Sequence, residues 1–351
     1  MLLQRLSNAF GPSGDEGEVR NLILEAIRPH VASTQVDTLG NLIARKPGNK
    51  FPLKVMFDAH MDEVAFMVTH IEEGGLLRFG AVGGFDPRIL PGKRVVVGHD
   101  RVPGVIGLKP IHLTTPDEQA RVANIQELAI DIGAQNKEQA RRSVSVGAYA
   151  TFDTSFGRLG GGSTDERSGR VKGKAFDDRA GCAVLVETLK GNYAVEVIAA
   201  FTVQEEVGMR GARVAAYTVQ PDLAVVLEGT VADDLPAREG PPPTTRLGHG
   251  PALTLMDHSF VADRRLVEWL IESAEEEGIP YQFKRPNVGG TDGGAINHSR
   301  IGVPTVALSV PCRYIHAPVA VMDLGDFWHT VALLKAALAR LPSMWGLEDG
   351  D

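Results

Sequence analysis

The sequence predicts an α/β sandwich interrupted once by an inserted all-β module. Three observations carry that expectation. Apolar runs of strand length alternate with amphipathic helical stretches at the start of the chain. Between about Val64 and Ser163 the alternation gives way to short β-rich runs separated by Gly and Pro turns, the texture of a small barrel. Beyond Ser163 strands and helices alternate again. The expected division is an α/β part made of residues 1–66 and 164–351 and an insertion over residues 67–163, with Gly160-Gly161-Gly162-Ser163 as the return linker.

Taken in order, the chain opens with a helix over Leu2 to Asn8, a Gly-Pro-Ser-Gly turn, and a second helix. Val19, Leu22, Ile23, Leu24 and Ile27 give the second helix an apolar face, and Pro29 ends it. Ser33 to Ala44 reads as strand, Leu-Gly-Asn turn and strand. Leu53 to Phe57 is the run of a central strand and leads into Asp58-Ala59-His60-Met61-Asp62-Glu63. Within the insertion the expected strands are Ala65–Thr69, Leu76–Phe79, Arg94–Val97, Val102–Ile106, Leu128–Ile132 and Val144–Ala150. A helix is expected over Asp177 to Leu189, a strand over Val195 to Val203, a helix over Arg210 to Tyr217 and a strand over Leu223 to Leu227. A long amphipathic helix follows from Phe260 to Glu277, then a strand at Pro280–Phe283 and a helix start at Asp292–Asn297. A strand at Pro304–Ser309 and a helix from Met322 to Leu341 close the chain. Pro241-Pro242-Pro243 reads as a rigid loop, and no internal repeat is visible.

The 351 residues are 43% hydrophobic and 23% charged, an ordinary soluble balance that leaves room for two domains or for one with an insertion. The formal net charge of −8 argues against nonspecific nucleic-acid binding. Two cysteines, Cys182 and Cys312, make no disulfide framework and fit a reducing cytoplasm. The N-terminus lacks the apolar core and cleavage pattern of a signal peptide, and no stretch approaches the roughly 20 apolar residues of a membrane helix. The expectation is a cytoplasmic protein with neither a nucleic-acid nor a membrane partner.

The chemistry gathers around Phe201-Thr202-Val203-Gln204-Glu205-Glu206-Val207-Gly208, where a buried strand ends in two adjacent carboxylates. Strand side chains alternate, so the pair reaches one cavity only if the chain leaves the strand there. Neighbouring carboxylates repel and call for a cation or a shared proton. In open α/β sheets reactive groups collect at strand C-terminal ends, and here five such places in succession carry metal-type ligands. They are His60 and Asp62; Asp177 and Asp178 opening a helix; Glu205 and Glu206; Glu228; and His316 in Pro311-Cys312-Arg313-Tyr314-Ile315-His316. Two imidazoles plus several carboxylates suit a pair of divalent ions such as zinc, cobalt or manganese. In two-metal hydrolases such ions make hydroxide available at neutral pH, and a free carboxylate takes the water's proton.

The stretches DAHMDEV, GKAFDDRAGC, VQEEVGMRGA, GGTDGGAI and PCRYIHAPV, in this order, resemble the co-catalytic metallo-aminopeptidases of metallopeptidase family 42, the glutamyl and tetrahedral (TET) aminopeptidases. SGDEGEVRNLI, VDTLGNLIARKPG and FDPRILPGKRV fit as well, so the resemblance spans nearly the whole chain. It implies a mixed-sheet α/β/α catalytic domain of zinc-peptidase type with an inserted barrel-like dimerisation domain. It also implies two divalent metal ions per subunit, short peptide substrates, and a homo-oligomer, a dodecamer built from dimers. Carried over motif by motif, His60 binds one metal and Asp62 orients it. Asp177 bridges the two ions, Glu206 and His316 bind the second, and Glu205 is the general base acting on a metal-bridged water. Glu228 stands where the family has a carboxylate, often Asp, and completes the first metal's shell with one methylene more of reach. Two departures touch none of these positions: Pro236-Ala237 replaces the family's Pro-Gly, and Thr291-Asp292-Gly293-Gly294 replaces Thr-Asp-Ala-Gly.

Blander roles fit other residues. Asp178 reads as a helix-start acid or a partner of Arg179, and Asp233 and Asp234 as a solvated loop, one of them an alternative should Glu228 point away. His112 and Arg313 are given no role, and Cys182 reads as core. The glycine-rich 289–294 stretch lacks the ending of a phosphate loop and reads as a tight loop lining the cleft; neither His-Glu-x-x-His nor Gly-x-Ser-x-Gly occurs. The expected activity is a di-metal aminopeptidase. The alternatives are a di-metal deacylase or amidohydrolase, and a catalytically silent peptide-binding scaffold.

Overall fold

The computed structural model describes residues 1–160, 165–235 and 240–346. Part of the expected return linker (161–163) and the Pro236-Ala237 departure lie outside the described residues.

Among the described residues, eleven strands form one mixed sheet. Its centre is four parallel strands, in the order Glu196–Thr202, Lys54–His60, Leu223–Val231 and Thr305–Arg313. Antiparallel strands flank this centre. Leu42–Lys46 and then Ser33–Val36 extend one side, and Ala320–Asp323, Arg170–Gly173 and Gly157–Arg158 the other. The central strands read as near-continuous apolar runs because both faces are covered. Val55, Phe57, Ala59, Val197, Ala199, Phe201, Val225, Leu227, Leu308 and Val310 point into one core, against helices Gly17–Ile27, Phe176–Leu189, Arg264–Glu276 and Leu324–Met344. Met56, Ile198, Ala200, Ala224, Val226 and Ala307 point the other way, onto helices Arg210–Val219 and Gly293–Asn297. The result is a three-layer α/β/α sandwich.

The insertion is a closed antiparallel barrel. Around its wall the strands are Ala65–Ile71, Leu77–Val82, Ala129–Asp131, Val102–Gly107, Arg94–Val97 and Tyr149–Phe152. Its own core holds Phe66, Phe79 and Phe152, with Phe85 stacked on Phe66 at 4.6 Å between ring centres. The turn between two barrel strands docks on the N-terminal segment. Arg101 Nη2 donates to both Glu18 carboxylate oxygens at 2.7 and 2.9 Å and the guanidinium lies over the Phe10 ring, and His99 meets Asp15 at 3.1 Å.

Several expected elements are corrected. Val144–Ala150 is not a strand: a helix over Lys137–Ser143, capped by the Asn136 side chain, ends at Val144, and the barrel strand begins only at Tyr149. Gly147, at φ +88°, makes the turn between them. The closing helix starts at Leu324, because Ala320–Asp323 pairs into the sheet and Asp323 caps the helix. The helix expected from Phe260 starts at Arg264 behind an Asp263 cap. The strand expected to stop at Leu227 continues to Val231, so Glu228 lies inside it.

Candidate metal centre

Each central strand delivers its polar group at the same edge of the sheet. His60 is the last residue of its strand and pairs in register with Thr202, so both lie at one level. Glu228 is two residues beyond the Val226–Asp58 pair, which brings it level with His60. Asp177 arrives from a different direction. The chain turns through Ala175 in a left-handed conformation, and Asp177 and Asp178 depart from helical geometry before the helix proper begins. Gln204, Tyr314 and His316 also hold positive φ. Left-handed backbone at residues other than glycine costs energy and is retained where the surroundings enforce it. Here it accompanies the turns that bring Glu206 to 3.4 Å from His316 and leave Glu205 beside His60 and Glu228. Gln204 immediately precedes the acidic doublet, which lies beyond the last strand residue, Thr202.

The structure brings all seven candidate residues together. His60 Nε2 lies 3.2 Å from Asp177 Oδ1 and 3.6 Å from Glu228 Oε2. His316 Nε2 lies 3.4 Å from Asp177 Oδ2 and 3.4 Å from Glu206 Oε2. These make two sets of three ligand atoms, His60–Asp177–Glu228 and Asp177–Glu206–His316, joined by the two oxygens of Asp177. Asp62 Oδ1 faces His60 Nδ1 at 3.4 Å and accepts the Glu205 N–H at 3.0 Å; its Oδ2 accepts the Glu206 N–H at 3.2 Å and the Ser13 hydroxyl at 2.6 Å. His316 Nδ1 donates to the Gly84 carbonyl at 3.1 Å, a contact supplied by the barrel. That bond leaves Nε2 facing the carboxylates, the usual way a histidine ligand is oriented.

Burial and crowding dominate the electrostatics. Burial pushes Glu205 well above the usual carboxylate range, and Glu228, Asp292 and Glu206 push it further. Burial lifts Glu206 to about 8 and Glu228 to about 7, in each case against an opposing histidine. Asp177 is held below its ordinary value, because hydrogen bonds to His316 and His60 outweigh the effect of its burial. Such an excess of buried carboxylate over cation is what bound cations would relieve.

The remaining sequence candidates sort themselves. Asp178 caps its helix by accepting the Gly181 N–H at 2.9 Å, but it does not pair with Arg179. That guanidinium instead donates to the carbonyls of Met61, Leu6 and Gly11 and meets Glu63. Asp234 is held by Arg313 through two bonds of 2.6 and 2.8 Å and lies in neither ligand set. Asp233 pairs with Thr244. His112 is exposed on a short helix of the insertion. Cys182 is core, with its sulfur 3.2 Å from the His60 carbonyl. Sequence reasoning passed over Asp58, fully buried in the His60 strand and pushed well above its ordinary value by burial and by Asp292. It also gave no role to Asp292, which accepts the Thr202 hydroxyl at 2.8 Å. The signal for Asp58 was a lone acid within an apolar run.

Comparison with known proteins identifies the family. The family profile described as M42 glutamyl aminopeptidase matches residues 40–333. A lysyl aminopeptidase of Pyrococcus furiosus is 30% identical over 351 residues, covering 98% of this chain and 97% of its own. A TET aminopeptidase structure from the marine sediment archaeon Thaumarchaeota archaeon superposes with a TM-score of 0.92 at 36% identity and covers 99% of both chains. The TET1 peptidase of Pyrococcus horikoshii, which can assemble into a tetrahedron or a large octahedral shell, superposes with a TM-score of 0.83 at 33% identity over 96% of this chain and 98% of its own. The barrel-bearing sandwich and a profile match over most of the length agree: the chain belongs to the M42 glutamyl aminopeptidase family of peptidases.

Proposed function

We propose that this enzyme is a two-metal aminopeptidase that removes the N-terminal residue from short peptides. One observation carries the reading: two ligand sets, each with one imidazole, share the carboxylate of Asp177. Their spacing suits transition-metal ions. Ligands about 2.1 Å from a tetrahedral ion stand about 3.4 Å apart, and the four imidazole–carboxylate distances run from 3.2 to 3.6 Å. Zinc, cobalt and manganese all accept this nitrogen–oxygen set. His60, Asp177 and Glu228 would hold one ion, and Asp177, Glu206 and His316 the other. When bound, the ions supply Lewis acidity toward the scissile carbonyl and acidify water in the site.

The protein's own groups do the rest. Glu205 takes the proton of the attacking water and passes it to the leaving amine nitrogen. Asp62 fixes the His60 ring and the backbone of Glu205 and Glu206 together, so base and ligands keep one geometry. The inserted barrel serves assembly, and the chain forms a dodecamer built from dimers; the shells formed by the P. horikoshii relative support this part. The reading places the enzyme in the cytoplasm, consistent with two buried free cysteines and with no helix among the described residues long and apolar enough to cross a membrane.

The test is turnover of aminoacyl-p-nitroanilides carrying Glu, Asp, Leu or Lys, on chelated protein and after adding back zinc, cobalt or manganese. Metal-dependent release from at least one substrate is expected, with Glu205→Gln retaining both ions and losing roughly 10²–10⁴-fold in turnover. Two ions bound without release from any substrate would replace this reading with a deacylase. No ions bound would replace it with a scaffold, and undiminished turnover in Glu205→Gln would remove the base assignment.

A further inference from the structure

Beyond the end of its strand, the acidic doublet is held by side chains from distant parts of the chain. Four successive backbone N–H groups each find a side-chain oxygen. Val203 donates to Asn41 Oδ1 at 3.0 Å, Gln204 to Glu16 Oε1 at 3.2 Å, Glu205 to Asp62 Oδ1 at 3.0 Å and Glu206 to Asp62 Oδ2 at 3.2 Å. The second of these holds the residue with left-handed backbone, φ +58°, that immediately precedes the doublet. We infer that Glu16 is a positioning residue for Glu205, its carboxylate holding the Gln204 turn that aims the base at the site. The inference rests on the proposed role of Glu205.

Glu16 is built for this. It is 3% exposed, and the same oxygen that takes the Gln204 N–H accepts the Gly14 N–H at 2.6 Å. Three residues earlier, the Ser13 hydroxyl donates to Asp62 at 2.6 Å. One N-terminal turn therefore supplies one, and braces the other, of the two carboxylates that grip residues 204–206. The turn is itself tied down, because the Glu63 N–H donates to the Gly11 carbonyl at 3.0 Å. Asn41, the third side chain in this grip, is locked by its amide donating to Asp37 at 2.7 Å and to the Gly211 carbonyl at 3.0 Å. Burial pushes the Glu16 carboxyl up to about 7, so the fold keeps a carboxyl here against its desolvation cost.

Two substitutions separate aiming from folding. Glu16→Ala removes the acceptor, whereas Glu16→Gln keeps an oxygen that can reach the Gly14 and Gln204 N–H groups. Glu16→Ala is expected to lower kcat by roughly tenfold or more, with KM and bound metal within about twofold, and Glu16→Gln to recover most of that loss. Hydrogen exchange supplies a readout besides activity: amides 203–207 should exchange faster in Glu16→Ala, but not in Glu16→Gln, while the barrel and the central strands stay protected. The inference is overturned if Glu16→Ala matches the unaltered protein in local exchange and in kcat, if protection falls throughout the molecule, or if Glu16→Gln behaves as Glu16→Ala does. Should the unaltered protein release no amino acid from any substrate, the aminopeptidase reading fails on its own, and the exchange pattern still decides whether Glu16 holds the turn.

Discussion

Lys174→Met should be among the most damaging single changes outside the ligand sets. The Lys174 ammonium is buried and donates to Glu63 at 2.6 and 2.8 Å and to the Ala9 carbonyl at 2.6 Å. Both side chains of the pair are 4% exposed. Burial pulls the amine down to about 8, with Glu63 opposing, so it still carries its proton at neutral pH. Methionine fills similar volume but leaves Glu63 with Arg179 at 3.3 Å and a backbone N–H at 3.3 Å. Breaking a buried pair from one side costs about 3–5 kcal/mol. With 351 residues and an unfolding entropy of about 2.1 cal/mol/K per residue, that corresponds to a fall in Tm of about 4–7 °C. The assay is a thermal melt at pH 7 at fixed protein concentration, for Lys174→Met, Glu63→Gln and the double variant. Neutralising Glu63 should hurt less once Lys174 is gone, with a coupling of roughly 2 kcal/mol. A melting point within about 1 °C of the unaltered protein, or strict additivity in the double variant, would refute the reasoning.

Metal stoichiometry should follow the two ligand sets: His316→Ala and Glu228→Ala each retain one ion per subunit, and Asp177→Ala retains neither, as read by elemental analysis after gel filtration. Retention of both ions by Asp177→Ala would exclude a shared carboxylate. Gly211→Ala should cost about 1–3 kcal/mol and reduce turnover, because the added Cβ would overlap Asn41 Oδ1 and the Val203 backbone, none of which can swing away; a stable and fully active variant contradicts this. Asp326 supplies a pH signature. Burial pushes its carboxyl up to about 7 even though the Gly248 and Gly250 N–H groups donate to it. The unfolded carboxyl titrates near about 4, so between about 4 and 7 the folded state holds the extra proton. Its contribution is therefore present at low pH and lost as pH rises through about 7. The stability of the unaltered protein relative to Asp326→Asn should improve as pH falls from 8 to 5.5, and a pH-independent difference in urea midpoints would contradict the sign.

Local pattern determined a large share of this protein. The apolar runs around Val55, Val197, Val225 and Val306 have strand length, and the stretches between them have helical period, so the α/β sandwich and its β insertion were legible residue by residue. The gathering of the candidate residues was legible for the same reason. Parallel strands bring their C-terminal ends to one edge, so the acids and histidines following those runs had to gather there. What the sequence did not contain is contact between distant segments. That one carboxylate, Asp177, faces both His60 and His316 depends on a left-handed turn at Ala175 and on the packing of its helix under the sheet. That Arg179 passes over the adjacent Asp178 and reaches Glu63, Leu6 and Gly11 instead depends on burial, which forces a guanidinium to find several acceptors at once. Val144 looked like a strand because its β-branched side chain suits one, yet it closes a helix and packs into the barrel core. Residue periodicity spans a few positions. The contacts from Glu16 to Gln204, Asn41 to Val203 and Gly84 to His316 span 188, 162 and 232 positions, and only the folded chain brings those groups within hydrogen-bonding distance.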